Sequence, residues 1–271
     1  MKITFVGGGN MAQAIIGGLK AGEFAAADIG VVEPVAEQRA RLTAQFGVKV
    51  AANAAEAAPL GDLVVMAVKP QQMREAAAAV TPHLPKAAVV LSIAAGIRMA
   101  DLSRWLGGHA LIARCMPNTP ALVGAGMTGA CAMAGVSESQ RAGIDCVLAA
   151  MGKSIWVANE SMLDPVTAIS GSGPAYVFYF IEALEAGARD LGLSPSDART
   201  LALETFLGAA KLAAGSPDDP ATLRQKVTSK GGTTEAALAS MEASGVKAAI
   251  GRGVKAANAR SIELGDQLGR D

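Results

Sequence analysis

The chain has 271 residues, 51% of them hydrophobic and 4% aromatic, with 24 basic and 24 acidic side chains. Balanced charge excludes a surface for nucleic acid or an acidic membrane and leaves a small molecule as the expected ligand, while the length points to two domains. Cys115, Cys131 and Cys146 are odd in number and sit in apolar runs, as reduced thiols of a cytoplasmic protein do, and no zinc-ligand spacing occurs.

The first residues imitate a leader peptide, but Gly7-Gly8-Gly9-Asn10 interrupts the apolar run, and Gln13 and Glu23 fall where a leader requires apolar and neutral residues. No window approaches 18 uninterrupted apolar residues, so no transmembrane helix is expected. Ile3 to Val6 reads as a strand, Gly7 to Gly9 as a turn and Met11 to Lys20 as a helix. Further short apolar runs at 29–32, 48–51, 63–68, 89–93, 111–115 and 130–133 are mostly separated by helical patterns, which predicts an α/β domain with a parallel, doubly wound sheet. Asn53 with Glu56, and Ser137 with Gln140, have the spacing of a helix cap and its return partner. Asn53 also follows the third strand, at the edge where such sheets bind ligands.

From about Glu160 strand patterns vanish, and 174–191, 195–214 and 246–268 read as long helices. The expected division is therefore 1–158 for the α/β domain and 159–271 for an all-α domain. Ser194-Pro195 is a capped helix start, and Gly192 and Gly215 suit helix ends. These helices carry Ala, Gly and Leu on more than one face, so self-association is expected.

Gly7-x-Gly9-x-x-Ala12 lies between a predicted strand and a predicted helix. There the first glycine permits the tight turn, the second admits a pyrophosphate, and Ala12 keeps the helix close to the sheet. The run Gly7, Gly8, Gly9, Asn10, Met11, Ala12 is thus the predicted cradle of NADH or NADPH. Glu33 ends the second strand, where a carboxylate accepts from ribose hydroxyls and repels a 2′-phosphate, favouring NADH. Arg39 and Arg41 follow, either as a solvated helix face or as groups reaching the phosphates. Ala67-Val68-Lys69-Pro70 ends the fourth strand and Ala94-Ala95-Gly96 follows the fifth, where small residues let a nicotinamide ribose lie close. Lys69 is a cofactor contact or an acid. Asn118, in Met116-Pro117-Asn118-Thr119-Pro120, offers hydrogen bonds beside the nicotinamide or simply shapes the turn. Ser170-Gly171-Ser172-Gly173-Pro174-Ala175-Tyr176 opens a long helix, as a packing surface or a flexible junction.

Thr228-Ser229-Lys230-Gly231-Gly232-Thr233-Thr234 combines hydroxyls with two glycines and contains no strong base. Such a run suits a small carboxylate whose chemistry needs orientation; the alternative is a turn connecting two helices.

In order along essentially the whole chain, Gly7 to Ala12, Ala67 to Pro70, Ser92 to Gly96, Met116 to Pro120, Ser170 to Tyr176 and the Gly-Gly-Thr-Thr run resemble the pyrroline-5-carboxylate reductase family. The resemblance implies an N-terminal Rossmann-type domain, an all-α C-terminal dimerisation domain and often a ring of dimers. It implies reduction of 1-pyrroline-5-carboxylate to L-proline by hydride transfer from NAD(P)H, the last step of proline biosynthesis. It further implies that the N–H groups around Gly231 and Gly232, with Ser229 and Thr233, hold the substrate carboxylate, that the Thr234 hydroxyl faces the ring nitrogen, and that Glu160 lies near both ligands. Many relatives have a small polar residue in place of Glu33, so the resemblance leans to NADPH where Glu33 leans to NADH. Lys226 replaces an asparagine of some relatives and reaches the phosphates or points into water; Lys230 has no assigned part. His83 and His109 read as surface loop residues, in keeping with an imine protonated by solvent or a hydroxyl relay. Two other readings remain. One is a β-hydroxyacid dehydrogenase using Lys255 in Lys255-Ala256-Ala257-Asn258, which lacks that family's glycine-rich substrate signature. The other is a non-catalytic nucleotide sensor, against which the intact glycine run and Thr234 stand.

Overall fold

The computed structural model describes residues 1–270. One sheet contains β1 (Ile3–Val6), β2 (Ile29–Val32), β3 (Lys49–Ala51), β4 (Leu63–Met66), β5 (Val89–Ser92), β6 (Ile112–Met116), β7 (Gly126–Ala132) and β8 (Gly152–Trp156). Their spatial order is β3-β2-β1-β4-β5-β6-β7-β8, with the reversal between β1 and β4 that marks a doubly wound, nucleotide-binding sheet. The first six strands are parallel, as expected; β7 runs antiparallel to β6, and β8 runs parallel to β7. The reversal has a simple cause: residues 117–125 between β6 and β7 are fewer than the roughly dozen that a parallel crossover needs. β8 is absent from the sequence reading because Lys153, Ser154 and Ile155 are exposed at the sheet edge and make no apolar run.

Alternate residues of each central strand supply opposite faces. Ile3, Phe5, Val65 and Leu91 pack with α1 (Asn10–Ala21), α2 (Ala36–Phe46) and α6 (Glu138–Ala149). Val6, Val64, Met66 and Val90 pack with α4 (Met73–Val80) and α5 (Met99–Trp105), while α3 (Ala54–Ala57) adds Ala54. Phe5, Ile15, Ile16 and Leu91 are fully buried, each contributing about 1.5–3 kcal/mol.

The chain divides into two compact units, Met1–Ser172 together with the residues from Ala257 on, and Gly173–Ala256. The first unit thus extends past the expected boundary at 158/159. Beyond it, Leu163 at the start of α7 (Leu163–Val166) joins the second core, and Val166 fills the space over Gly129 of β7. Residues 167–171 form one wide π-turn, so the Ser170–Tyr176 run is helical on both sides rather than a flexible junction. The last turns of α12 (Val246–Leu268) also belong to the first unit, where Arg98 pairs with Asp266 at 2.5 Å and Ser261 donates to Asp164 at 2.7 Å.

In the second unit, α8 (Gly173–Asp190) and α9 (Pro195–Gly215) make a helical hairpin, with Phe180 and Phe206 ring centroids 6.5 Å apart. Ser194 caps α9 by accepting from the Asp197 N–H, as the sequence predicts. Two shorter helices, α10 (Pro220–Lys226) and α11 (Thr233–Ala243), precede α12. Phe178, Tyr179, Leu203, Leu207 and Leu212 remain exposed in the isolated chain, an apolar surface of the kind that drives association.

Adjacent glycines of α1 test how tightly this helix is seated. A Cβ on Gly18 would collide with the backbone carbonyl of Ala150, whereas one on Gly17 would meet only Phe46 Cε1, at 3.6 Å. Gly18→Ala should therefore destabilise the protein by about 1–3 kcal/mol, and Gly17→Ala should be neutral or stabilising by up to about 1 kcal/mol. Urea midpoints of the two variants check this; equal shifts would show that α1 is not held against Ala150.

Candidate active site

The turn between β1 and α1 is shaped for a phosphate. Gly7 has φ +99, and a Cβ there would sit 2.7 Å from the Ala67 carbonyl oxygen and 3.0 Å from Val68 Cγ1. Ala67 and Val68 thus form the wall behind the turn. Gly8 donates its N–H to Glu33 Oε2 at 2.9 Å, and its carbonyl accepts from Gln13 at 3.1 Å and Gln38 at 2.8 Å. Beyond this clamp, Gly9 is the N-cap of α1 with no side-chain cap, and a Cβ on it would meet nothing within 4 Å. The first intrahelical bond is Gln13 N–H to the Gly9 carbonyl, so the N–H groups of Asn10, Met11 and Ala12 have no acceptor among the described residues. Free donors, a helix dipole and open space above a glycine fit a dinucleotide pyrophosphate. Ala12 is fully buried, which is why only a small residue suits it.

At the end of β2, Glu33 is 8% exposed and its second oxygen accepts from the Val35 N–H at 2.9 Å. The carboxylate therefore ties the strand end to the glycine turn. Arg39 is not part of a solvated face: its guanidinium donates to the carbonyls of Glu33 at 2.7 Å and Pro34 at 2.8 Å. Arg41 is exposed, without a polar contact among the described residues.

Further along the carboxyl edge the residues divide by use. Lys69 is exposed, and Pro70 opens a short turn. Ala94 is buried and donates its N–H to the Ser92 hydroxyl at 3.3 Å, and Ala95 is half-buried. Gly96 lies beneath Leu264 and Leu268, so its missing side chain admits α12 and does not leave room for a ribose. Asn118 has its amide engaged on both ends, donating to the Ser170 carbonyl and accepting from the Met127 N–H, each at 2.9 Å. Asn53 caps α3 as predicted, accepting from the Glu56 N–H at 3.0 Å, and remains exposed. Burial pushes the Cys115 thiol up to about 12, which removes it as a nucleophile. His109 is pinned to the Ala88 carbonyl at 2.8 Å, half-buried, and not a free surface residue.

Glu160 lines a cavity of about 500 Å³ with Arg98, Arg114, Asp164, Asn258 and Ile262. Its Oε1 accepts from the Met99 N–H at 2.7 Å and from Arg114 at 3.1 Å. Arg114 points off β6 into the core and is 4% exposed, so a counter-charge is obligatory. Glu160 is thus already committed, to the first turn of α5 and to a buried guanidinium. Buried Arg114 Nε and Asn258 Oδ1 have no hydrogen-bond partner among the described residues.

In the second unit, the chain turns between α10 and α11. Gly232 donates its N–H to the Ser229 carbonyl at 3.0 Å, with Gly231 in the third position at φ +72, a value that a left-handed turn position requires and glycine supplies. Gly231 donates its N–H to Glu235 Oε2 at 2.6 Å. The N–H groups of Gly231 and Gly232, expected to take a carboxylate, are therefore engaged within the loop. The free donors lie one step on: Gly232 is an N-cap without a side-chain cap, and the N–H groups of Thr233, Thr234 and Glu235 have no acceptor among the described residues. The Thr234 hydroxyl, half-buried, is also without a hydrogen bond, and the Ser229 side chain is exposed. Lys226 points at Asp218, at 2.5 Å, and Lys230 occupies the exposed second turn position, where any side chain fits.

A family model described as pyrroline-5-carboxylate reductase dimerisation matches residues 160–264, and one described as NADP oxidoreductase, coenzyme F420-dependent, matches residues 2–96. The pyrroline-5-carboxylate reductase of Pseudomonas aeruginosa is 45% identical over 99% of this chain and 98% of its own. A solved structure of a pyrroline-5-carboxylate reductase from Coxiella burnetii superposes with a TM-score of 0.92 at 37% identity, covering 97% of this chain and 98% of that one. The Plasmodium falciparum pyrroline carboxylate reductase, solved with NADP bound, gives 0.86 at 28% identity and covers 98% of each chain. With identity and architecture both running the full length, the chain belongs to the pyrroline-5-carboxylate reductase family.

Proposed function

We propose that the protein reduces 1-pyrroline-5-carboxylate to L-proline, the last step of proline biosynthesis, as a cytoplasmic enzyme that works as a dimer or a ring of dimers. The observation that carries the reading is the start of α11, where free N–H groups and a free threonine hydroxyl stand within one helical turn. The N–H groups of Thr233 and Thr234 hold the substrate carboxylate, with the helix dipole behind them. The Thr234 hydroxyl then lies at the ring nitrogen and hands on the proton that this nitrogen acquires. The dinucleotide held on Gly7 to Ala12 supplies the hydride that the imine carbon receives. No strong base is needed, because a cyclic imine takes its proton from water or through a hydroxyl, and rate comes from orientation. Support for self-association is the exposed apolar surface of α8 and α9 within the matched dimerisation segment. All three cysteines are unpaired, which suits a reducing compartment. Lys255 is exposed, without a polar partner among the described residues, and gives the hydroxyacid reading no support.

For the cofactor we infer a preference for NADH set by Glu33. Its fixed, nearly buried carboxylate stands where a 2′-phosphate would bring a second negative charge.

Three measurements test these assignments. Thr234→Ala should lower kcat about 100-fold and leave the dissociation constant of the cofactor unchanged; matching losses in both would remove the hydroxyl from the ring nitrogen. Proline is compatible with the first position of a helix and deletes its N–H, so Thr233→Pro should raise KM for 1-pyrroline-5-carboxylate about tenfold while Thr233→Ala does not. An unmoved KM in the proline variant would place the carboxylate elsewhere. Glu33→Ser should shift the NADPH-to-NADH ratio of kcat/KM toward NADPH by about tenfold, even if binding of both weakens as the Gly8 and Val35 N–H groups lose their acceptor. A constant ratio would mean that Glu33 does not face the ribose.

A further inference from the structure

Glu235 has no part in the chemistry above, yet its carboxylate accepts a short hydrogen bond, 2.6 Å, from the Gly231 N–H. That N–H belongs to the Lys230–Gly231 peptide, the central peptide of the Ser229–Gly232 turn. A turn of this kind has two states related by a flip of its central peptide, with the third residue at φ near −90° in one and near +80° in the other. Glycine enters both at little cost, so Gly231 permits the observed φ of +72 but does not select it. A charge-assisted bond to the flipping N–H does select it.

We propose that Glu235 is a positioning residue, a latch that fixes the Lys230–Gly231 peptide and so sets the direction in which α11 presents its free N–H groups to the substrate carboxylate. This rests on the assignment of that carboxylate to Thr233 and Thr234. The latch is a capping-box half displaced by one residue: the third helical residue reaches back past the N-cap Gly232, whose own N–H goes to the Ser229 carbonyl, to the N–H of Gly231. The other half, a serine or threonine hydroxyl on the first-turn N–H groups, is replaced by Gly232. For helix stability alone a hydroxyl cap would serve better. The observed pair instead orders the approach to the helix while leaving the Thr233 and Thr234 donors open.

The test is steady-state kinetics of the full chain at saturating cofactor for Glu235→Ala and Glu235→Gln, with 1-pyrroline-5-carboxylate and with 1-pyrroline, which lacks the carboxylate. Glu235→Ala should raise KM for 1-pyrroline-5-carboxylate about tenfold with kcat within about twofold, and should leave kcat/KM for 1-pyrroline unchanged. Glu235→Gln keeps an acceptor and should restore KM. The proposal is overturned by an unchanged KM in Glu235→Ala, by equal losses on the two imines, or by a glutamine variant as impaired as the alanine one. Thr233→Pro separates this from the site assignment: a raised KM there with none in Glu235→Ala sinks the latch alone, and no effect in Thr233→Pro sinks both.

Discussion

A helix start can hold an anion on its backbone alone only where its first N–H groups are unclaimed, and the starts in this molecule differ in that respect. Asn53, Ser137, Ser194 and Asp219 each place a side-chain oxygen on the first-turn N–H groups of α3, α6, α9 and α10. Such a cap stabilises a helix by about 1 kcal/mol. α2 and α4 have no capping side chain, and neither do α1 and α11, which begin at Gly9 and Gly232. The latter two are the starts to which a pyrophosphate and a carboxylate are assigned. In α1 the stability forgone at the start is recovered through fully buried Ile15 and Ile16.

Leaving donors open creates a second problem, since a glycine run that approaches an uncapped helix has little to fix it. The same device answers it at both places. Glu33 takes the Gly8 N–H and Glu235 takes the Gly231 N–H, each on the turn rather than on the helix. At Glu33 the device would bear on selectivity under the proposed cofactor assignment, because the group that orders the turn is also the one assigned to the ribose. Arg39 is independent of that carboxylate, being held by the backbone carbonyls of Glu33 and Pro34. A different side chain at position 33 therefore leaves the Arg39 guanidinium held at the strand end.

What could be read from sequence was whatever rests on neighbouring residues. The first strand, turn and helix, the Asn53 and Ser137 caps, and the Ser194-Pro195 start are local signals, and the structure has all of them. β8 and the Gly126–Gly129 half of β7 were illegible because an edge strand and a glycine-rich strand lack an apolar alternation; α10 and α11 were legible only as the helices that a turn at 228–234 would connect. In the site, residue types were legible and their allegiance was not. The donors at 231 and 232 look the same in sequence as those at 233 and 234; only the turn and Glu235 show which pair is engaged. Gly96 likewise reads as space for a ligand until Leu268 is found occupying it.

The Arg114–Glu160 pair shows the same ambiguity with larger energies. Arg114 extends from β6 into the side of the sheet where α5 packs, and its charge there is tolerable only with Glu160 beside it. Removing one partner of such a pair costs about 3–5 kcal/mol, because the other is left buried and charged. The pair also ties the segment after β8 to α5 through the Met99 N–H, and Asp164 and Arg98 join the same cluster to Ser261 and Asp266 near the chain end. Any loss of activity on replacing Glu160 therefore has a sufficient cause in the folding of the first unit. A ligand contact by Glu160 could be separated from that cause only where Arg114 is neutralised as well, so that neither charge is left behind. Glu160 is thus first a structural counter-ion.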